Sequence, residues 1–329
     1  ATDLGNDQAE GQIFYSETDN KFKTSIASKA WHSGANLGTA RYSAGSGGTQ
    51  NATFLAGGAN NPPFATKTST EEYNGTGWGA GGNIGTARYR MGGCGTLTAG
   101  IIFGGNYPDR KNETEQYDGT SWTEVANLNT ARMGPFSAGT QTAALAASGS
   151  GPPASSVTNT VNSEEWDGSS WSEGNNINAA RRDGSLGAGG TQTAAIAAGG
   201  TGDTDAAEEY NGTSWTSVTN LPEGRSGMGV AGIQTNCIHF GGPRQNLEYD
   251  GTNWTAGGPT TTLGTARSSV SGSGTASAAL ASAGNPGSAP YGNASTEEYN
   301  VTANTITAAA WSSGGNLNTG GRAGAAGSG

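Results

Sequence analysis

The chain has few of the residues on which most enzyme and metal sites are built. Only 13% of its 329 residues are charged, and it contains two cysteines and two histidines. Cys94 and Cys237 lie far apart without a CxxC spacing, so we expect two free thiols and neither a disulfide scaffold nor a zinc site. His32 and His239 offer little to an imidazole metal site or a Ser-His-Asp arrangement. We therefore expect no enzyme activity, no cofactor and no metal.

Long apolar runs and an excess of positive charge are also missing. No stretch approaches the roughly 18 consecutive apolar residues of a membrane helix, and the first residues lack the basic and apolar regions of an export signal. The net charge is -10, from 26 acidic and 16 basic residues. Repulsion from phosphate argues against nucleic acid and anionic membranes as partners, so we expect a soluble protein without membrane insertion.

Glycine is abundant, and its distribution decides how the composition is interpreted. With 58 glycines and 33% hydrophobic residues, the chain has the composition of a disordered polymer. Collagen is excluded because glycine does not occupy every third position and there are only 11 prolines. The glycines recur with a period instead, which indicates a folded repeat protein.

A phrase that joins a tryptophan to an arginine recurs about every 44 residues. The two residues are ten positions apart in five of the seven copies, with wording such as Asn-Leu-Asn-Thr-Ala-Arg between them. An acidic-aromatic phrase such as Glu-Glu-Tyr-Asn-Gly-Thr precedes the tryptophan, and a Gly-Thr-Gln-Thr phrase follows the arginine. The seven tryptophans are Trp31, Trp78, Trp122, Trp171, Trp215, Trp254 and Trp311, and the seven arginines are Arg41, Arg88, Arg132, Arg181, Arg225, Arg267 and Arg322.

Each phrase predicts a short β-strand. Asn-Gly-Thr or Asp-Gly-Thr between two aromatic residues is a hairpin signal, and the Gly-Thr-Gln-Thr run is bounded by glycine. One repeat supplies four strands: a beginning at the Ala-Arg, b ending in a Gly-Gly pair, c ending at the tyrosine and d beginning at the tryptophan. Four antiparallel strands in 40 to 50 residues are typical of one blade of a β-propeller, and helical periodicity is absent.

The order of these residues resembles the kelch repeat. Arginine, a Gly-Gly pair such as Gly57-Gly58, tyrosine and tryptophan follow one another in most copies. The wording Glu-Glu-Tyr-Asn-Gly-Thr-Ser-Trp and Asn-Leu-Asn-Thr-Ala-Arg, and the opening segment 11–23, are similar to kelch-like proteins of tailed phages that infect marine cyanobacteria and their neighbours. The resemblance implies a virion protein of a tail, fibre or head appendage, present in multiple copies beside other virion proteins.

Counting strands predicts a seven-bladed propeller over residues 12–329, preceded by an arm at 1–11. Six blades are complete, and the seventh would combine an N-terminal pair near Tyr15 and Trp31 with a C-terminal strand at Arg322. Strand b of that blade is missing, which leaves an exposed edge. A shortened sequence, the N-terminal arm and a strand donated by another chain are three alternative explanations.

Residues that recur in every blade are interpreted as structural. Each repeat arginine can reach the glutamate two positions before the tyrosine of its blade, and the aromatic residues are expected to pack between blades. An Asp-box, which would indicate a sialidase-like protein, is excluded by the missing residue between Asp118 and Gly119. The predicted glutamate partners are Glu71, Glu115, Glu164, Glu208 and Glu297.

The loops that vary most in length between the repeats are the b–c and d–a loops, which leave the same face of a propeller. We call it the variable face. Loops on a rigid scaffold often carry binding residues, although such variation is equally well explained by simple tolerance. Asp203 and Asp205 lie in one loop, where two carboxylates are equally consistent with a calcium site and with no ligand at all. The candidate binding residues are Phe64, Tyr107, Asp109, Arg110, Lys111, Asp203, Asp205, Arg244 and Tyr291.

The function expected from these features is a non-enzymatic interaction scaffold of a phage particle, in attachment or host-surface recognition, with a surface glycan or receptor as the outside partner. The opposite face, with the connections 16–30 and 301–310, is expected to dock onto the rest of the assembly. One alternative is a secreted or cell-surface glycan-binding propeller. A second is a propeller glycan hydrolase or oxidase, for which the histidine supply is poor.

Overall fold

The computed structural model describes residues 13–16, 21–152, 158–186, 190–242 and 245–307. The chain divides into two compact units, residues 29–301 and a second unit that combines 1–28 with 302–329. In the second unit β1 (Ile13–Ser16) pairs antiparallel with the start of β2 (Lys21–Ser33). The predicted arm at 1–11, Trp311 and Arg322 lie outside the described residues.

Residues 29–301 form an all-β propeller of four-stranded antiparallel blades. In the first three blades the sheet order follows the chain order. Two short ladders in the b–c loops, β5–β6 and β15–β16, add to blades one and three. The strands are β3 (Gly45–Thr49), β4 (Ala52–Ala56), β5 (Ala59–Asn60), β6 (Ala65–Thr66), β7 (Thr70–Tyr73), β8 (Trp78–Ala80), β9 (Gly92–Thr96), β10 (Ala99–Phe103), β11 (Thr114–Tyr117), β12 (Trp122–Val125), β13 (Phe136–Thr140), β14 (Ala143–Ala147), β15 (Ser150–Gly151), β16 (Thr158–Asn159), β17 (Ser163–Trp166) and β18 (Trp171–Gly174).

Blades four and five repeat this pattern, and blade six has the order β28-β29-β30-β2. A short strand, β19, pairs parallel with β24 of the next blade. One 3-10 turn, Pro259–Thr261, precedes blade six, and none of the described residues belongs to a helix with the length and apolarity to cross a membrane. The strands are β19 (Ser185–Leu186), β20 (Gly190–Thr191), β21 (Ala194–Ala198), β22 (Ala207–Tyr210), β23 (Trp215–Ser217), β24 (Met228–Ile233), β25 (Asn236–Phe240), β26 (Leu247–Tyr249), β27 (Trp254–Ala256), β28 (Ser271–Thr275), β29 (Ala278–Ser282) and β30 (Thr296–Thr307).

The strand prediction from the repeat phrases is confirmed. In blade one, strand b ends directly before Gly57, strand c ends at Tyr73 and strand d begins at Trp78. The Asn-Gly turn between them is closed by the Asn74 side chain, whose Oδ1 accepts the backbone N–H of Thr76 at 3.0 Å. This local hydrogen bond explains why Asn or Asp begins every such turn. Strand a starts four residues after the repeat arginine rather than at it.

Glycine lines the axis because the inner strands approach one another too closely for side chains. A Cβ at Gly47 would lie 2.8 Å from the backbone of Cys94 in the next blade. A Cβ at Gly93 would lie 2.8 Å from the backbone nitrogen of Ser46. The low hydrophobic content therefore results from inner strands that pack backbone on backbone.

The described residues form a ring of six blades, so the predicted seventh blade is wrong. The inner strands β3, β9, β13, β20, β24 and β28 are neighbours in this order, and β28 is next to β3. The prediction treated Trp31 as part of an additional blade, whereas its strand β2 occupies the outer position of blade six beside β30. Seven copies of the phrase therefore do not make seven blades. The predicted contribution of a C-terminal strand at Arg322 lies outside the described residues, and the described ring shows no gap for a donated strand b.

A circle of backbone hydrogen bonds joins the blades where the inner strands begin. The participating residues have left-handed φ values between 51° and 64°, except for the last donor. Each blade donates one N–H to a carbonyl of its neighbour, so the circle closes after six links, one for each described blade. The links are Ser43 to Ser269, Arg90 to Ser43, Gly134 to Arg90, Asp183 to Gly134, Gly227 to Asp183 and Val270 to Gly227.

Candidate functional site

The six described repeat arginines lie inside the blades and act as structural clamps. Arg41 has no exposed surface, donates to the Glu71 carboxylate at 2.6 Å and to the carbonyl of Ser69 at 2.7 Å. Glu71 also accepts the backbone N–H groups of Gly38 and Thr39, so its charge is fully compensated. The five predicted pairs all form ion pairs: Arg41–Glu71, Arg88–Glu115, Arg132–Glu164, Arg181–Glu208 and Arg267–Glu297.

Blade five departs from this arrangement because Leu247 replaces the glutamate. Arg225 pairs with Glu223 instead, which is half-exposed, and donates to the carbonyl of Gln245 at 2.7 Å. Burial lowers the pKa of Arg41, and the Glu71 charge opposes that shift. Arginine remains charged at any ordinary pH. These clamps therefore have no proton to exchange and hold the loop before strand a against strand c.

The tryptophans join each blade to the preceding one. The indole N–H donates to the first side chain of strand c in the preceding blade, as from Trp122 to the Thr70 hydroxyl at 2.9 Å. Blade five is the exception, because Ala207 stands at that position and offers no acceptor. The indole N–H of Trp254 is buried and has no hydrogen-bond partner among the described residues. The other pairs are Trp31–Asn246, Trp78–Thr296, Trp171–Thr114 and Trp215–Ser163.

The tyrosines make a second set of links between blades. Tyr249 donates its hydroxyl to Glu209 of the preceding blade at 2.8 Å. Blade three carries Trp166 in place of tyrosine, and its partner position in blade two is Gln116 in place of glutamate. A glutamate at position 116 would be a charge without the tyrosine hydroxyl that donates to it in the other blades, which explains why the two replacements occur together. The remaining pairs are Tyr73–Glu298, Tyr117–Glu72, Tyr210–Glu165 and Tyr299–Glu248.

Two of the candidate binding residues meet on the variable face. Phe64 is 39% exposed and Tyr107 is 42% exposed, and their ring centroids lie 5.2 Å apart. Tyr89 lies 5.6 Å from Phe64, and Tyr42 lies 6.1 Å from Tyr89. We call these four side chains the aromatic platform. Sequence reasoning missed Tyr42 and Tyr89, although an aromatic residue directly after the repeat arginine occurs only in blades one and two.

Three arginines lie beside the platform. The Arg90 guanidinium is 5.6 Å from the centre of the Tyr89 ring and 3.4 Å from the Asp183 carboxylate. Arg182 lies 3.2 Å from the same carboxylate. Burial, together with the charges of Arg182 and Arg90, lowers the pKa of Arg110. The three guanidinium groups therefore share one electrostatic environment, and sequence reasoning had named only Arg110.

A cavity of about 210 Å³ opens at the axis on this face. We call it the axial mouth. Arg90, Asp183 and Gly227 belong to the backbone circle, which places the cavity where the inner strands begin. Its remaining lining is hydroxyl-rich and includes Thr201, Ser226, Ser268 and Ser269, with Arg182 and Gly202. An adjoining cavity of about 240 Å³ shares Ser226 and Ser268 and reaches Asp203.

The other candidate residues are scattered over the same loops. Asp203 accepts the Ser226 hydroxyl at 2.7 Å and so reaches the adjoining cavity. Lys111 lies 3.4 Å from Glu113, and Tyr291 is held by its backbone N–H to the Asn61 carbonyl. Asp109 and Asp205 are exposed, and Arg244 lies outside the described residues. Among the described residues, no group of three or more His, Cys, Asp or Glu side chains is placed to hold a metal.

The cysteines and His239 lie in the core. Cys94 and Cys237 are free and buried, and burial raises the pKa of both thiols. Burial, helped by the charge of Arg225, lowers the pKa of His239 to about 3, so the imidazole is neutral. Its ring lies 4.8 Å from Trp254. Neither the thiols nor this imidazole faces a surface where a reaction could occur.

Comparisons with known proteins identify the fold. No family model matches the chain, and no curated protein matches it. Among solved structures, one titled "Structure of YjhT" is similar with a TM-score of 0.65 and 11% identity, covering 83% of this chain and 99% of that one. In all, 284 solved chains match. A fold shared this widely supports a β-propeller and leaves function to be argued from the site.

Proposed function

We propose that the protein is a rigid, non-enzymatic interaction scaffold in a phage particle, where its variable face contacts the host surface. The kelch-like order of arginine, Gly-Gly, tyrosine and tryptophan and the phage-like wording of the repeats support the particle assignment. The observation that carries the binding role is the aromatic platform. Two large aromatic side chains remain about 40% exposed beside three arginines, although a folded chain gains by burying such groups.

Rigidity supports a scaffold role. The buried Arg–Glu clamps, the Trp and Tyr links and the backbone circle join every blade to its neighbours. Among the described residues, none of the clamp arginines and none of the linking tryptophans and tyrosines lines the axial mouth. These links support a scaffold that holds its loops in fixed positions, as the loops of other binding proteins are held on a rigid framework.

The experiment has two parts. Mass spectrometry of purified particles should detect the protein in multiple copies, and its absence from particles refutes the phage assignment. The purified propeller should then compete with particles for adsorption to host cells, and the double variant Phe64→Ala, Tyr107→Ala should compete less well. Equal competition by both proteins contradicts the role of the variable face.

The alternatives predict different results. A glycan-binding propeller of a cell would be found on or outside cells rather than in particles. A glycan hydrolase or oxidase would turn over oligosaccharides, and the axial mouth would be its place of reaction. Incubation with a panel of oligosaccharides, followed by analysis for new reducing ends or aldehydes, tests the latter.

A further inference from the structure

The arginines that are not part of the repeat are concentrated on one face. The chain has eleven arginines, of which seven are the repeat arginines. The remaining four, Arg90, Arg110, Arg182 and Arg244, all fall in or beside loops of the variable face by their place in the repeat. Three of them are described: Arg90 and Arg182 contact the same Asp183 carboxylate, and Arg110 donates to Asn106. The Asn106 amide in turn donates to the hydroxyl of Tyr89, whose ring lies under Arg90. In a chain with a pI near 4.7, this is a local positive region.

The backbone at the axial mouth keeps side chains where glycine would fit more easily. Arg90 has φ 57° and Asp183 has φ 53°, whereas blades three and five place Gly134 and Gly227 at the equivalent position. A left-handed conformation is sterically unfavourable for a residue with a Cβ and is not so for glycine. Strained residues of this kind occur preferentially at ligand sites. Arg90 and Asp183 are thus held at the mouth against a conformational cost.

Arg110 still has hydrogen-bonding capacity. It donates through Nη1 to the Asn106 side chain at 3.0 Å, and its Nε is buried without a hydrogen-bond partner. Arg90 is 31% exposed, and its contact with Asp183 is a long one at 3.4 Å. A carboxylate accepts well from guanidinium groups, because the planar fork matches its two oxygens. Arg90 and Arg110 are therefore better suited to bind an incoming carboxylate than an uncharged group.

The platform and the hydroxyls supply the rest of a binding site. Exposed aromatic rings offer flat apolar faces, which pack against the C–H face of a sugar ring, while the mouth offers serine and threonine side chains to hydroxyl groups. We propose that the variable face binds an acidic saccharide, with its carboxylate on Arg90 and Arg110, one sugar ring on Phe64 and Tyr107, and a neighbouring sugar in the axial mouth. This inference rests on the proposed function, because it assigns a ligand class to the face that contacts the host.

The test uses matched acidic and neutral probes with the full chain. Glucuronate and an oligogalacturonate are compared with glucose and a galactose oligosaccharide by saturation-transfer NMR and isothermal titration calorimetry. The acidic probes should bind, with the oligosaccharide tighter than the single sugar, and the neutral probes should bind at least about tenfold more weakly, since a hydrogen bond to a charged group contributes on this scale.

Two variants locate the carboxylate. Arg110→Gln removes a guanidinium that makes no ion pair with the described residues, and Arg90→Gly introduces the residue that blades three and five already carry at this position. Each should weaken oligogalacturonate binding about tenfold and leave the melting temperature almost unchanged. Lys29→Gln is the control, because it removes one positive charge that is paired with Glu248, away from the platform. It should leave affinity unchanged.

Three outcomes overturn the inference. The first is equal binding of acidic and neutral probes, and the second is unchanged affinity in both arginine variants. The third is binding of poly-glutamate without binding of any saccharide, which would identify an acidic protein segment as the ligand. A protein that is present in particles and competes for adsorption, yet binds no acidic saccharide, refutes this inference and leaves the proposed function standing. If the protein binds acidic saccharides but is absent from particles, the proposed function is refuted and this inference stands.

Discussion

One buried indole in blade five lacks the hydrogen bond that the other described blades make. The N–H of Trp254 points towards the position of Ala207, where four other blades carry threonine or serine and one carries asparagine. Ala207→Ser is therefore expected to supply the acceptor, as Ser163 does for Trp215 at 3.1 Å. An unsatisfied buried donor costs roughly 1–3 kcal/mol, and burying the hydroxyl offsets part of the gain. We expect a net stabilisation of about 1 kcal/mol.

The assay is urea unfolding, followed by tryptophan fluorescence and circular dichroism, together with thermal unfolding. A gain of this size should raise the melting temperature by about 2 °C in a chain of this length. Ser163→Ala is the matched reverse change and should lower stability by a similar amount. In a Trp254→Phe background, Ala207→Ser should destabilise, because the buried hydroxyl then has no indole to pair with. Stabilisation of equal size in both backgrounds refutes the reasoning.

The other predictions concern the clamps, the core histidine and the thiols. Glu115→Gln should cost about 3–5 kcal/mol in urea unfolding, because it leaves the buried Arg88 charge uncompensated, whereas Glu113→Gln should change little. The pKa of His239 is about 3 in the folded protein and about 6.5 in the unfolded chain, so between these values only the unfolded chain binds the proton. The free energy of unfolding should therefore fall by about 1.4 kcal/mol for each unit by which the pH drops in this range, and His239→Phe should remove that contribution. Cys94 and Cys237 should react with a thiol reagent only after unfolding, and labelling of the native protein would contradict their burial.

Features internal to one blade were predictable from the sequence. The hairpin turn at Asn74 depends on a side chain and the backbone two residues on, and the clamp of Arg41 with Glu71 joins two positions of one repeat. The periodic spacing places such residues in contact whatever the number of blades. The exception in blade five also has a local cause, because Leu247 replaces the glutamate and Arg225 pairs with Glu223, two residues before it.

Contacts between blades were harder to predict because they join residues that no single repeat contains. The Trp122 link to Thr70, and the joint replacement of a tyrosine by Trp166 and of its partner glutamate by Gln116, depend on which blades are neighbours and in what register. The candidate site is of the same kind. Phe64 and Tyr107 were predicted as loop residues of two blades, but their meeting with Tyr89 required the positions of both loops.

Sequence alone was enough to predict the four-stranded blade, the place of glycine in it and the pairing of five repeat arginines with their glutamates, since these follow from short-range geometry repeated along the chain. The number of blades required the folded chain, because Trp31 and Trp311 stand in nearly identical phrases and repetition alone does not show which segments share a blade. That number depends on how closely the inner strands approach at the axis. The backbone circle from Ser43 to Val270 closes after six links, and the same circle brings the arginines of separate blades to one mouth.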